Sequence, residues 1–178
     1  PIYTKGRSLY GIDLAREHCR KSETVFVVEG YFDLLALHQH GIQNAVATLG
    51  TALTPEHVRV LRGCIGENGT VVLVYDSDAA GIKAAQRSIG VFEQGYAEAR
   101  ICVLPPGHDP DSFIFEFGAA AFQKAAAEAR GIMPFLMEAA VTRHGLSVDG
   151  KVQIVSELSA AIAAIQDPMA RSLYTKDL

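Results

Sequence analysis

Val71-Val72-Leu73-Val74-Tyr75-Asp76-Ser77-Asp78 runs five strand-forming apolar residues straight into a pair of carboxylates. A run hydrophobic on both of its alternating faces suits a strand covered on both sides, as parallel strands are. Open parallel sheets gather ligands beyond the carboxyl ends of their strands, so this stretch sets charge at the rim where chemistry is expected. Outward from it, similar short runs occupy 24–28, 45–48 and 100–104. Between them, Val58, Leu61 and Ile65, and then Ile82, Ala85, Ile89 and Phe92, step by three or four, the spacing of one helical face. Thr54-Pro55 reads as an N-cap with proline in the first turn, and Gly41 and Gly95 stand where helices should stop. Strand and helix alternating at this spacing predict an α/β fold: about four parallel strands joined by right-handed crossovers and flanked by helices.

Downstream, 104–111 reads LPPGHDPD, and three prolines exclude a helix or a central strand there. The remainder turns helical: an Ala-rich stretch at 113–130, an amphipathic one at 133–144, a break at 145–150, then a stripe of Val152, Val155, Leu158, Ile162 and Ile165. The expected division is a basic lead-in at 1–22, a sheet-bearing domain at 23–111 and a C-terminal helical subdomain at 112–178.

With 178 residues, 49% hydrophobic and 20% charged, the chain can bury its own core and is not disordered, fibrous or coiled-coil in composition. Its apolar runs are too short to span a bilayer. It opens on Pro1 with no cationic n-region before an apolar stretch, as expected of a piece of a longer cytoplasmic protein. Cys19, Cys64 and Cys102 are odd in number and form no CxxC, which predicts neither a disulfide framework nor a zinc site. The net charge of -4 argues against a stand-alone binder that works by neutralising phosphates. Residues 1–22 nevertheless carry +3, so a basic arm precedes a body of -7.

The residues just past the strands are acidic: Glu29 and Asp33 after the first, Asp76 and Asp78 after the third, Asp109 and Asp111 after the fourth. Two carboxylates 4 to 5 Å apart repel by roughly 3 to 4 kcal/mol at an effective dielectric near 20. A cluster drawn from several strand ends is best relieved by hard divalent cations, and oxygen-only ligands favour Mg²⁺ or Mn²⁺ over zinc. Such ions suit phosphoryl or nucleotidyl transfer. Other uses of single residues stay open: Asp78 capping a helix at Ala79, Asp111 capping one at Ser112, Asp33 on a solvated helix face. Gly50 lets backbone N–H groups approach a phosphate or simply makes a turn. Lys83 and Arg87, one turn apart, reach a triphosphate or face water. The six histidines form no tight ligand pattern, and GxSxG, Walker and GxGxxG motifs are absent.

Together, Glu29-Gly30-Tyr31-Phe32-Asp33, Ala47-Thr48-Leu49-Gly50-Thr51, Tyr75-Asp76-Ser77-Asp78-Ala79-Ala80-Gly81 and Asp109-Pro110-Asp111 closely resemble the Toprim segments of bacterial replicative DNA primases of the DnaG type. The lead-in from Tyr3 to Gly11 and the tail with Asp167-Pro168 and Arg171-Ser172-Leu173-Tyr174 extend the resemblance over nearly the full length. Phe32 stands where Met is common and Ser77 where Gly is common. The resemblance implies a Toprim domain at 23–111 followed by the helical subdomain of a polymerase core. It implies that Asp76, Asp78, Asp109 and Asp111 bind two to three Mg²⁺ or Mn²⁺ ions, and that Glu29 is the catalytic acid/base or metal-organising carboxylate, supported by Asp33. Lys5, Arg7 and Lys83 would contact phosphates of nucleotide or template. The implied reaction is attack of a ribose 3′-hydroxyl on the α-phosphate of a ribonucleoside triphosphate, making RNA primers on a single-stranded DNA template during replication. Partners would include the replicative helicase of a bacterial replisome, through a domain absent from this sequence; a zinc-binding domain would also lie elsewhere, so little priming is expected of this chain alone.

Three alternatives share parts of the pattern. Toprim nucleases and topoisomerases also carry a Glu followed by DxD. Haloacid-dehalogenase-type phosphatases end an apolar strand in DxD, though a bulky residue normally follows, where this chain has Ala79-Ala80-Gly81. A phospho-receiver module clusters carboxylates similarly but needs a lysine beside the proline after its last strand, and Leu104-Pro105-Pro106 has none.

Overall fold

The computed structural model describes residues 5–75, 79–95 and 98–178. Its sheet orders the strands β2-β1-β3-β4-β5: β1 (Thr24–Val28), β2 (Ala45–Ala47), β3 (Thr70–Tyr75), β4 (Glu98–Val103) and β5 (Arg130–Gly131). The first four are parallel, as expected. The fifth was not anticipated: two residues, pairing antiparallel with Arg100 and Ile101 at the edge.

The helices are α1 (Ile12–Ser22), α2 (Tyr31–Gln39), α3 (Pro55–Ile65), α4 (Ala79–Gly95), α5 (Pro110–Ala127), α6 (Ile132–His144), α7 (Val148–Ala164) and α8 (Pro168–Asp177). The lead-in is therefore more than an arm, since α1 buries Ala15 and Cys19 against the sheet. Helix α5 opens at Pro110, earlier than the Ala-rich stretch suggested, and changes direction at Gly118, whose φ of +78° only glycine adopts without strain. Helix α7 begins inside the stretch read as a break, where the Ser147 hydroxyl accepts from the Gly150 N–H at 3.1 Å. As the spacing predicted, Thr54 caps α3: its hydroxyl accepts from the His57 N–H at 3.1 Å, and His57 Nδ1 accepts from the Thr54 N–H at 3.3 Å.

Alternation along the strands builds two cores. Val25, Val27, Val71, Leu73 and Ile101 face α1, α3, α4, α6 and α7. Phe26, Val28, Val72, Val74 and Cys102 face α2 and α5. Right-handed crossovers explain this split. The chain leaves β1 toward β2 in one direction and leaves β3 toward β4 in the other, so α2 and α4 land on opposite faces. A crevice consequently opens between the carboxyl ends of β1 and β3. The three cysteines are free and buried, and burial pushes the thiols of Cys19 and Cys102 up to about 12 and about 11.

Beyond the apolar core that α6 and α7 share with the sheet, one carboxylate joins them to α4. Glu157 on α7 lies 3.3 Å from Gln86 Nε2 on α4 and 2.7 Å from both Arg143 Nη1 and His144 Nε2 on α6. Burial opposes its ionisation, but the His144 hydrogen bond and the Arg143 charge outweigh it and hold the carboxyl below its ordinary range. Stability from this ion is complete above the unfolded value near 4.5 and is lost as pH falls below it. Glu157→Gln is therefore expected to destabilise the chain by about 1 to 3 kcal/mol at neutral pH. Urea midpoints measured from pH 7 to pH 3 should show parent and variant converging at the acid end; a constant gap would contradict this account.

Candidate active site at the carboxyl edge of the sheet

The register that pairs Val27 with Leu73 and Tyr75 with Val103 brings Glu29, Tyr75 and the end of β4 level at one rim. Glu29 is exposed there, while its carbonyl accepts from the N–H groups of Leu49 and Gly50 at 3.0 and 3.4 Å. Those two donors require a left-handed turn, with φ of +57° at Leu49 and +70° at Gly50. Gly50 thus makes a turn, and it also lines a cavity.

Asp33 is half-buried, which corrects the solvated-face alternative. Its Oδ2 accepts from the Gly30 N–H at 3.0 Å, at the start of α2, and its Oδ1 accepts from the Asp111 N–H at 3.3 Å, in the first turn of α5. One carboxylate so pins two helix N-termini to each other and beside Glu29. Both ends carry the partial positive charge that favours an anion there.

Asp109, not Asp111, caps α5. Its Oδ1 accepts from the Ser112 N–H at 2.8 Å and from the Ser112 hydroxyl at 2.6 Å, and Ser112 Oγ accepts from the Asp109 N–H at 3.1 Å. The Ser112 hydroxyl and backbone bonds hold the Asp109 carboxyl below its usual range, so it is ionised throughout the physiological range. Glu29 and Asp33 thus follow the carboxyl end of β1 and Asp109 and Asp111 that of β4, on the same edge of the sheet as the end of β3 at Tyr75. Asp76 and Asp78 lie outside the described residues, and among the described residues no three His, Cys, Asp or Glu side chains are gathered closely enough to hold a metal ion. The donors that are described are all carboxylate oxygens, the set that suits a hard divalent cation.

On the α3/α4 face, the same crevice deepens into a cavity of about 290 Å³ lined by Glu29, Thr48, Gly50, Thr51, Tyr75 and Arg87 over an apolar floor. Burial pushes the Tyr75 hydroxyl up to about 12, with the Glu29 charge adding to the shift and Arg87 opposing it. The Thr51 hydroxyl donates to the Thr48 carbonyl at 2.7 Å, bracing the wall. Of the basic residues singled out from sequence, Lys83 is exposed on α4 outside the lining and Arg87, one turn deeper, is in it. Lys5 and Arg7 lie in a short 3-10 turn anchored by the Thr54 hydroxyl, which donates to the Gly6 carbonyl at 2.7 Å, so the turn sits beside the loop that walls the cavity. Tyr75, Thr48 and Thr51 carried no role in the sequence reading; only the strand register shows that they share a wall.

Residues 26–114 match the Toprim-like family, half of the chain. This chain belongs to that family. The match decides for Toprim over the phosphatase and receiver readings, and the acidic segments quoted from the sequence all fall inside it, whereas the basic lead-in lies before it. A second match, described as the DnaB-helicase binding domain of primase, covers 133–178. It puts a segment of that description within the chain, where the sequence reading placed helicase docking in a domain absent from it.

The relatives of this Toprim chain are DNA primases. That of Halalkalibacterium halodurans is 34% identical over 180 residues, covering 100% of this chain and 30% of its own length, and that of Synechococcus elongatus is 42% identical over 130 residues, covering 71% and 19%. The RNA polymerase domain of Mycobacterium tuberculosis primase DnaG superposes with a TM-score of 0.83 at 30% identity, over 98% of this chain and 56% of that one. A DNA primase domain from Pseudomonas aeruginosa gives 0.82 at 32%, over 99% and 56%. A DnaG catalytic domain solved bound to single-stranded DNA gives 0.79 at 30%, over 99% and 57%. The chain therefore spans under a third of these curated relatives and somewhat over half of the solved catalytic domains. Toprim domains of primases bind divalent metal ions. Among the described residues no helix is long and apolar enough to cross a membrane.

Proposed function

We propose that the chain is the Toprim-bearing part of the RNA polymerase core of a bacterial replicative primase, acting in the cytoplasm at the replication fork on single-stranded DNA and ribonucleoside triphosphates. The observation that carries this reading is similarity to primase catalytic domains over 98 to 99% of the chain. It divides into a lead-in at 1–22, the Toprim domain at 23–111 and a helical subdomain at 112–178, the last carrying the segment that resembles a helicase-binding domain.

Asp76, Asp78, Asp109 and Asp111 would hold two to three ions, Mg²⁺ or Mn²⁺, which on binding neutralise charge developing on the transferred phosphate. The rest of the work falls to protein groups. Glu29, exposed at the crevice, takes or relays the proton of the attacking 3′-hydroxyl. Asp33 positions the rim by gripping the Gly30 and Asp111 N–H groups, and Lys5, Arg7 and Lys83 attract the phosphates of nucleotide and template. The bond from the α-phosphate to the leaving oxygen breaks as the new ester forms, and pyrophosphate departs.

Asp109 tests the ion assignment because its cap and its charge separate. Asparagine caps a helix about as well as aspartate, whereas alanine costs about 0.5 to 2 kcal/mol. Asp109→Ala should lower metal-free stability by that amount, and Asp109→Asn should leave it near the parent's. Saturating Mg²⁺ should raise the melting temperature of the parent, and Asp109→Asn, Asp76→Asn and Asp78→Asn should each shrink the rise. A rise of parental size in all three would overturn the ligand assignment.

A further inference from the structure

The chain enters α5 through a turn, a cap and a ring contact, and His108 takes part in the first and the last. Pro105-Pro106-Gly107-His108 is closed by the His108 N–H, which donates to the Pro105 carbonyl at 3.2 Å, with φ of +87° at Gly107. Proline at the second position and a left-handed glycine at the third are the type II pattern. Asp109 then caps the helix and Ser112 reciprocates. Counted from that cap, His108 is the residue before it and Phe113 is the fourth residue of the helix. These are the two positions of a hydrophobic staple, the contact that fixes the angle at which a chain enters its helix.

Here the staple is made of rings. His108 lies edge-on to Phe113 with centroids 6.0 Å apart at 80°, and edge-on to Phe117, one turn further, at 5.2 Å and 73°. Phe113 is buried in the core on the α2/α5 side, so the contact ties the loop to the sheet. No hydrogen bond of the side chain explains the residue. Its Nδ1 is the one buried side-chain nitrogen or oxygen without a hydrogen-bond partner among the described residues, and the Glu116 carboxylate stands off at 3.9 Å. A buried nitrogen without a partner costs stability, so the ring contacts hold the imidazole in place against that cost.

We infer that His108 is a positioning residue: by stapling the loop 104–109 to Phe113 it sets the direction in which the Asp109 carboxylate projects, and so tunes the affinity of the acidic rim for a divalent ion. The second half rests on the ion reading of Asp109; the first does not. The ring, not its nitrogen, does the positioning, so an apolar ring can replace it and a small polar side chain cannot.

The 178-residue chain is compared with His108→Phe, His108→Asn, His108→Ala, Asp109→Asn and Ile162→Val, the last a buried position on α7 in the other core. Hydrogen exchange at the Ser112 amide, which donates to Asp109, reads the cap. Mn²⁺ titrated well below every melting temperature, with the free ion followed by electron paramagnetic resonance, reads the rim. His108→Ala and His108→Asn should speed Ser112 exchange several-fold and weaken Mn²⁺ binding about tenfold, the low end for a residue that orients a ligand. His108→Phe should match the parent in both and melt at the same temperature or higher, since the unpartnered nitrogen is gone. Ile162→Val should melt lower yet bind Mn²⁺ as the parent does, which separates positioning from general stability. Parental exchange and parental Mn²⁺ affinity in His108→Ala, or retention in His108→Asn with loss in His108→Phe, overturn the inference. Faster exchange with unchanged Mn²⁺ affinity in His108→Ala, where Asp109→Asn does lose affinity, makes the staple structural only and overturns it too. Parental Mn²⁺ affinity in Asp109→Asn, with Ser112 exchange still faster in His108→Ala, leaves the staple standing and overturns the ion reading.

Discussion

If the proposed polymerase role holds, Glu29→Gln in the full-length protein is expected to cut kcat for primer extension by roughly 10²- to 10⁴-fold, the range for removing a positioned acid or base. The fold should not notice. Glu29 is exposed, and its structural bonds run through its backbone carbonyl to Leu49 and Gly50, which the substitution leaves in place. Its carboxylate shares a rim with Asp33, Asp109 and Asp111, so removing one negative charge relieves repulsion and the metal-free melting temperature should hold or rise. The variant is isosteric, so a large fall in kcat at constant stability identifies a chemical role. Single-turnover extension at saturating Mg²⁺ measures it, and a kcat within about threefold of the parent would remove Glu29 from the chemistry.

Phe122→Ala should produce the largest loss of stability, about 3 to 5 kcal/mol. Phe122 is fully buried beneath the sheet on the α2/α5 side, with its ring edge-on to Phe26 at 5.2 Å and 77°. Truncation forfeits the transfer of an aromatic side chain, the aromatic pair and the contacts around the void, in a domain whose total stability is of order 5 to 15 kcal/mol. The effect should reach the site. Phe122 seats the part of α5 beyond the Gly118 bend and shares one core cluster with Phe113 and Ile114, which seat the first turn that follows the Asp109 cap, carries Asp111 and meets Asp33. Mg²⁺-induced stabilisation should therefore fall together with the urea midpoint, whereas Phe115→Ala, at an exposed position on the same helix, should alter both only slightly. An Mg²⁺ response of parental size in a destabilised Phe122→Ala would show that the rim does not depend on how α5 is seated.

The strands legible in advance were those whose neighbours in sequence are also their environment. β1 and β3 are apolar at every buried position because both faces of each are covered, and that requirement writes itself into consecutive residues. Local hydrogen bonding likewise made Thr54-Pro55 readable as a helix start, since a cap and its partner are three residues apart. The acidic segments were legible as a set because each follows a strand, and parallel connectivity sends all those ends to one edge.

Tertiary structure decided what depends on residues far apart. β5 is two residues long and exists because Arg130 and Gly131 find Ile101 and Arg100; nothing in a two-residue string carries a period. α1, read as a basic arm, is a packed helix because the sheet offers a surface for Ala15 and Cys19. Asp33 appeared free to face water until α5, 78 residues later, brought the Asp111 N–H to its carboxylate. Lys83 and Arg87 look equivalent along the chain, one helical turn apart, and both are exposed; only the seat of α4 on the sheet puts Arg87 on the cavity wall and leaves Lys83 off it. The order of residues determined which chemistry is present and at which strand ends. Their mutual reach was set by packing, because hydrophobic burial is non-directional and its geometry is resolved only when the helices settle on the sheet.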